Sequence, residues 1–487
     1  MNAELIAQYH SNLPATDAHP YRSGAWQPNH REYDARDLTV LDGEIPATLR
    51  GTYLRNTENP LHDALGRYHP FDGDAMLHSL TFGAEGLRYC NRFVQTDGFK
   101  AERKAGAPLW AGLRERPERS LRDGWGARTR LKDASSTDVV VHAGSALTSF
   151  YQCGELYQQD PVTLTPQGKA PWVDQLTPGW GVSAHTKIDE ATGELLFFNY
   201  SKRAPYMHYG VVDAQQQLVH YTPIELPGPR LPHDMAFTEH YAILNDLPLF
   251  WDEQALAAGA HAIRFHQELP SRFAIVPRRG TQVRWFEAAP TYVLHWINAF
   301  EDGDEIVLDG YAQDPRRGIV TPGLPDSLKP FFALDLHGVG AHAYRWRFNL
   351  RTGAVTEGPL ADAVIEFGMI NPRYAGRPYR YSWAMTTQPG WFLFTGLRRL
   401  DASTGTLQCY DFPAGVYASE APMAPVGPAE DDGYLLTFTT DMNADRSECW
   451  IFDASDIAVG PVARIALPQR ICVGTHACWA QEPTSAG

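Results

Sequence analysis

Residues 188–195 read IDEATGEL, and two later stretches repeat the plan: 348–355 (FNLRTGAV) and 400–407 (LDASTGTL). Each sets Asp or Asn four residues ahead of Gly, as Asp189 before Gly193, Asn349 before Gly353 and Asp401 before Gly405. A carboxylate or amide at that place bonds its own backbone, and glycine takes the positive φ that other residues resist. Each stretch therefore predicts a tight hairpin between two strands.

The flanks agree. From about residue 135 onward the chain falls into short runs rich in Val, Ile, Phe, Tyr and Trp, broken by Gly, Pro and Asp. GELLFFNYS, YAILNDLPLFW, DEIVLDGY, YRWRFNL, GWFLFTGL and GYLLTFTT are examples. Such runs read as successive antiparallel strands. One hairpin type recurring over hundreds of residues, with no matching helical periodicity, points to a radially repeated all-β sheet, a β-propeller. The repeat is too degenerate for blades to be counted.

One segment departs from this pattern. Residues 97–132 contain helix-compatible AERKAGAPLWAGLRER and a run of basic side chains: Lys100, Arg103, Lys104, Arg114, Arg116, Arg119, Arg122, Arg128, Arg130 and Lys132. It reads as a helix and loop excursion that caps one face, so a single domain is expected over 1–487.

Composition narrows the function. Lys and Arg number 42 against 57 Asp and Glu, a formal charge of -15, which argues against a nucleic-acid partner held by phosphate neutralisation. The start of the chain has no basic stretch followed by an apolar run, and no window approaches the roughly 20 apolar residues of a spanning helix. A cytoplasmic location is expected. Six cysteines without a C-x-x-C pair suit reduced, mostly buried thiols.

Of 18 histidines, four stand at junctions between an apolar run and a polar turn: His185 in GVSAHTKID, His233 in LPHDMAFTEHY, His295 in YVLHWINAFEDGDE and His476 in VGTHACWA. Taken singly, each reads as a structural histidine before a ligand. With their flanks they resemble the signatures of the carotenoid cleavage oxygenase family, which includes apocarotenoid- and stilbene-cleaving enzymes and the retinoid isomerase of the eye. The resemblance runs along most of the chain, through LRGTYLRNTENP, YHPFDGDAMLHSLTF, INPRYAGRPYRYSW and EDDGYLLTFTTDMNADRSECWIFDA.

That resemblance implies a seven-bladed propeller with a helix and loop cap over one face. It also implies Fe(II) on the axis, held by His185, His233, His295 and His476, with dioxygen as co-substrate. Four neutral imidazoles leave the ion its full charge and keep coordination positions open. Metal-bound imidazoles need an acceptor for the remote N–H, and the family uses three glutamates. Glu366 and Glu420 match two of them. The third position falls on Gln152, which contributes no negative charge, while Glu155 carries a charge close by. Thr137 in SSTDVVVHAG resembles a threonine beside an open coordination position, and equally suits an ordinary strand.

The implied reaction is oxidative cleavage of a C=C bond in an apolar, conjugated small molecule, a carotenoid or apocarotenoid, to aldehyde or ketone products. The alternative substrate is a stilbene or phenylpropene. Lys132 in KDASSTD resembles a residue that meets a phenol oxygen in stilbene-cleaving members, but the second phenol contact falls near Phe99, which lacks a hydroxyl. A metal-free binding propeller and a non-oxidative, ester-cleaving isomerase stand as competing readings. Leu109, Trp110 and Leu113 are expected to form an apolar tunnel mouth that makes peripheral membrane contact, with the surrounding Lys and Arg near anionic head groups. The contrary expectation is a basic helix with Trp110 buried against the propeller.

Overall fold

The computed structural model describes the chain apart from residues 114, 123–131, 178, 252–253, 255–262, 315–333 and 483–487. Arg114, Arg128 and Arg130 of the basic run lie outside the described residues. Seven sheets are arranged as the blades of a propeller. Four have the simple four-stranded meander, as in blade 3: Lys187–Asp189, Glu194–Tyr200, Tyr206–Val212 and Leu218–Glu225. The first strands of the other meanders are Asp138–His142 in blade 2, Tyr292–Asp302 in blade 5 and Glu366–Ile370 in blade 6. Blade 4 opens with Ala236–Phe237 and is interrupted by a side hairpin, Leu249–Trp251 with Ile263–Phe265.

Both ends of the chain close the ring. Ala477–Gln481 pairs antiparallel with Gly51–Arg55 to open blade 1. Val40–Gly43 adds an outer strand to blade 7, whose inner edge is Met423–Pro425 and Val416–Tyr417 against Gly433–Asp441. Radial repetition leaves each blade's inner edge short and protected about the axis, which limits the usual exposure of a sheet's ends. First strands of neighbouring blades lie against one another about the axis.

The three expected hairpins form as read. Asp189, Asn349 and Asp401 accept backbone N–H groups two residues on, from Ala191 (3.1 Å), Arg351 (3.1 Å) and Ser403 (3.0 Å). Gly193, Gly353 and Gly405 take φ of 69°, 81° and 73°. Second strands such as Glu194–Tyr200 are buried almost end to end, because blades cover both faces, and so they read as continuous apolar runs without alternation.

The cap excursion carries a helix at Asp97–Ala105. Thr96 accepts the Phe99 N–H at 2.9 Å, Asp97 stands in the first turn, Arg103 and Lys104 in the last, and Gly106 ends it at φ 67°. Each terminus thus has the charge that suits the helix dipole and a residue that caps its free groups. No helix among the described residues is long and apolar enough to cross a membrane.

Candidate metal centre

All seven first strands, or the loops entering them, deliver a side chain to the axis. His476 precedes the first strand of blade 1, Asp138 begins that of blade 2, and His185 precedes blade 3. His233 precedes blade 4, His295 lies within blade 5, Glu366 begins blade 6 and Glu420 lies between the two inner strands of blade 7. Residues 47 to 338 positions apart in the chain become neighbours because each blade directs its first strand at the same line.

The four histidines meet there. Ring nitrogens of His185, His295 and His476 lie within 4.8 Å of one another, and His185 Nε2 stands 3.1 Å from His233 Nε2. His185, His295 and His476 are buried and His233 half-buried. The remote nitrogens face outward. His295 Nδ1 is 2.6 Å from Glu366 Oε2, His476 Nδ1 is 3.4 Å from Glu420 Oε2, and His185 Nδ1 is 3.0 Å from Asp138 Oδ2.

This arrangement fits a cation. With Nδ1–H donated to a carboxylate, the Nε2 of His185, His295 and His476 each presents a lone pair, and that of His185 stands 3.1 Å from His233 Nε2. His295 Nε2 is buried without a hydrogen-bond partner, a costly state for a polar atom unless something binds it. Burial, and then the neighbouring imidazoles, hold His185 and His233 well below the ordinary histidine range; His295 is lowered by burial and by His476. Burial also opposes charge on His476, but Glu420, Asp138 and Glu58 overcome it and raise it to about 9. Burial pushes Glu366 up to about 8 and Glu58 to about 7. Buried carboxylates thus draw positive charge to the axis, and in the polypeptide alone a proton on His476 answers it.

Several sequence expectations are corrected here. No hydrogen bond joins Gln152 to a histidine among the described residues; its amide nitrogen donates to Tyr151 Oη at 3.0 Å. Glu155 does not either, since its carboxylate lies 4.0 Å from Lys169 and its N–H donates to Asp133. Phe99 is core, stacked on Phe93 at 4.7 Å and packed with Leu61 and Met76, as an apolar residue on the inner face of an amphipathic helix should be. Lys132 is buried between Asp74 and Glu102, each 2.9 Å away. Burial works against its charge, but these two carboxylates raise its pKa above the ordinary lysine value. Trp110 is 4% exposed, so it is not a surface patch; Leu109 and Leu113 are half-buried.

Trp110, Leu113, Phe150, Tyr151 and Lys132 line one cavity. Tyr151 links it to the axis, with its ring 6.2 Å from that of His233. Thr137 Oγ1 accepts the Tyr151 N–H at 3.1 Å, so Thr137 anchors this link at the start of blade 2.

Two residues at the axis escaped the sequence reading. Asp138 follows Thr137 directly, and an acid at the edge of an apolar strand was the signal available. Phe367 carried none. Its ring lies 4.6 Å from His295 and 4.9 Å from His476, and its N–H donates to Glu366 at 2.6 Å. Phe367 and His185 both hold positive φ, 56° and 60°, which for such residues costs about 1–3 kcal/mol each and marks a locally over-determined backbone.

Comparison with known proteins agrees with this geometry. Residues 26–481 match the family described as retinal pigment epithelial membrane protein, RPE65. The chain is 30% identical to carotenoid 9,10(9',10')-cleavage dioxygenase 1 of Pisum sativum, over 97% of this chain and 91% of that one. It is also 30% identical to isoeugenol monooxygenase of Pseudomonas nitroreducens, over 95% and 98%. A cobalt-substituted apocarotenoid oxygenase from Synechocystis superimposes with a TM-score of 0.81 at 26% identity, over 94% of this chain and 98% of that one. The chain belongs to the RPE65 family of carotenoid cleavage oxygenases.

Proposed function

We propose that His185, His233, His295 and His476 hold one Fe(II) and that the protein uses dioxygen to cleave a C=C bond of an apolar, conjugated substrate, giving aldehyde or ketone products. The observation that carries this reading is the convergence of four imidazoles on the axis, where His185 Nε2 and His233 Nε2 stand 3.1 Å apart and His295 Nε2 is buried without a partner, while three Nδ1 atoms face carboxylates. A bound Fe(II) supplies the redox chemistry that lets dioxygen react with an alkene.

The chain's own residues supply the rest. Neutral imidazoles preserve the ion's charge, and Glu366, Glu420 and Asp138 hold the tautomer that directs Nε2 to the axis. Phe367 covers the His295 and His476 side with an apolar ring and keeps water from it. Trp110, Phe150 and Tyr151 line a space of about 30 Å³ that a conjugated chain would have to widen, and the Tyr151 ring stands 6.2 Å from that of His233.

An apocarotenoid-type substrate remains the first reading, with peripheral membrane contact as its route of supply. A stilbene or phenylpropene is the second. It is favoured by the isoeugenol monooxygenase relative, as identical as the plant carotenoid dioxygenase. Mass spectrometry of products from apocarotenals, stilbenes and isoeugenol, run beside iron analysis, tests both. About one iron per chain and two carbonyl fragments from one class are expected. Isomerised product without oxygen uptake would identify a non-oxidative enzyme, and absence of bound iron in an active protein would overturn the metal reading.

A further inference from the structure

The four imidazoles are not held alike. His295 and His476 rest on glutamates from blades 6 and 7, and each of those glutamates also accepts a backbone N–H, from Phe367 and Ala477. His233 has no carboxylate on its ring among the described residues, and Gln152 is turned to Tyr151. His185 rests on Asp138 of blade 2, at 3.0 Å. His185 is also the one of the four whose backbone sits in the left-handed region, at φ 60°. The acid therefore supports the ligand whose backbone is least relaxed.

Asp138 is itself braced. Its Oδ1 accepts the Val139 N–H at 2.7 Å, and its carbonyl accepts from Asn56 Nδ2 at 3.1 Å. The same Asn56 amide donates to the Ser135 carbonyl at 2.9 Å, and the Asn56 backbone N–H donates to the His476 carbonyl at 2.9 Å. One buried side chain thus ties the loop that carries the support of His185 to the loop that carries His476.

We infer that Asp138 is the positioning residue of His185. Accepting the Nδ1–H, it fixes the tautomer that leaves Nε2 free for the ion, and it places a third negative charge beside the centre from blade 2. Position 152, which is Gln, supplies none. The inference rests on the metal reading above. A charged acceptor makes the stronger hydrogen bond and the more basic imidazole, so the isosteric Asp138→Asn isolates the charge while keeping an acceptor oxygen.

The test is Co(II) titration of the metal-free full chain, read as dissociation constant by chelator competition and as the visible ligand-field spectrum. Melting of the metal-free form is followed in parallel. Asp138→Asn is expected to weaken Co(II) binding about 10–100-fold and to shift the spectrum, with metal-free melting unchanged; Asp138→Ala should go further in the same direction. Wild-type affinity and spectrum in the Asn variant would overturn the inference, as would a fall in metal-free stability large enough to account for the weaker binding. Failure of the wild-type chain to bind Co(II) at all would instead overturn the metal reading, and the inference with it.

Discussion

At the propeller axis, side chains from seven blades converge, whereas in the described part of the 97–132 excursion the residues that chemistry would favour turn inward to structural tasks. His185, His233, His295 and His476 stand where their flanking motifs imply. Phe99, Trp110 and Lys132 do not present themselves to solvent: two are packed in apolar surroundings and the third is clasped by two acids. The difference lies in what sets each direction. A first strand is aimed by closure of the ring, which no single side chain can alter. A loop segment is aimed by its own packing, and its largest apolar groups are drawn to whatever surface they can cover.

The strongest test of this contrast removes an axial imidazole. His295→Ala should abolish bound iron and alkene cleavage together, because three imidazoles leave Glu366 buried without its partner. Metal analysis beside product assay checks it, and a fully active variant without iron would sink the metal reading.

The cap should respond in stability first. Trp110→Ser is expected to cost roughly 3–5 kcal/mol, as truncation of a buried tryptophan does, measured by denaturant unfolding. Full stability with lost liposome binding would return Trp110 to the tunnel mouth. Lys132→Met should also cost about 3–5 kcal/mol, since Asp74 and Glu102 are then left buried and unpaired. Loss of activity on phenolic substrates with no change in stability would make Lys132 a substrate contact instead.

Smaller effects are expected where geometry survives. Glu366→Gln keeps an acceptor for His295 but not its charge, and should weaken iron retention about 10–100-fold by chelator competition. Gly193→Ala should cost about 1–2 kcal/mol, the penalty of a side chain in the left-handed region, because φ there is 69° and Ala214 Cβ lies 3.0 Å from the added carbon. No loss of stability would show that this hairpin is not the fixed turn described.

What the sequence by itself determined is the strand-and-hairpin plan, the existence of a propeller and the identity of the four axial histidines. These depend on local rules: an Asx turn forms from Asp189 and Gly193 wherever it sits, and a histidine motif keeps its place at the head of a first strand. Carboxylate support was legible only in part. Glu366 and Glu420 lie in long matching segments, but Asp138 reaches His185 across 47 positions, and a pairing between blades leaves no periodic trace in either. Likewise a helix in this excursion was readable but its place was not, since the helix-compatible stretch 101–116 is helical only to Ala105 and the helix begins at Asp97, and which way Phe99, Trp110 and Lys132 point was not readable either. Only the tertiary structure decided that, because a buried lysine needs its acids and a tryptophan its cover, and both come from chain segments far away in sequence.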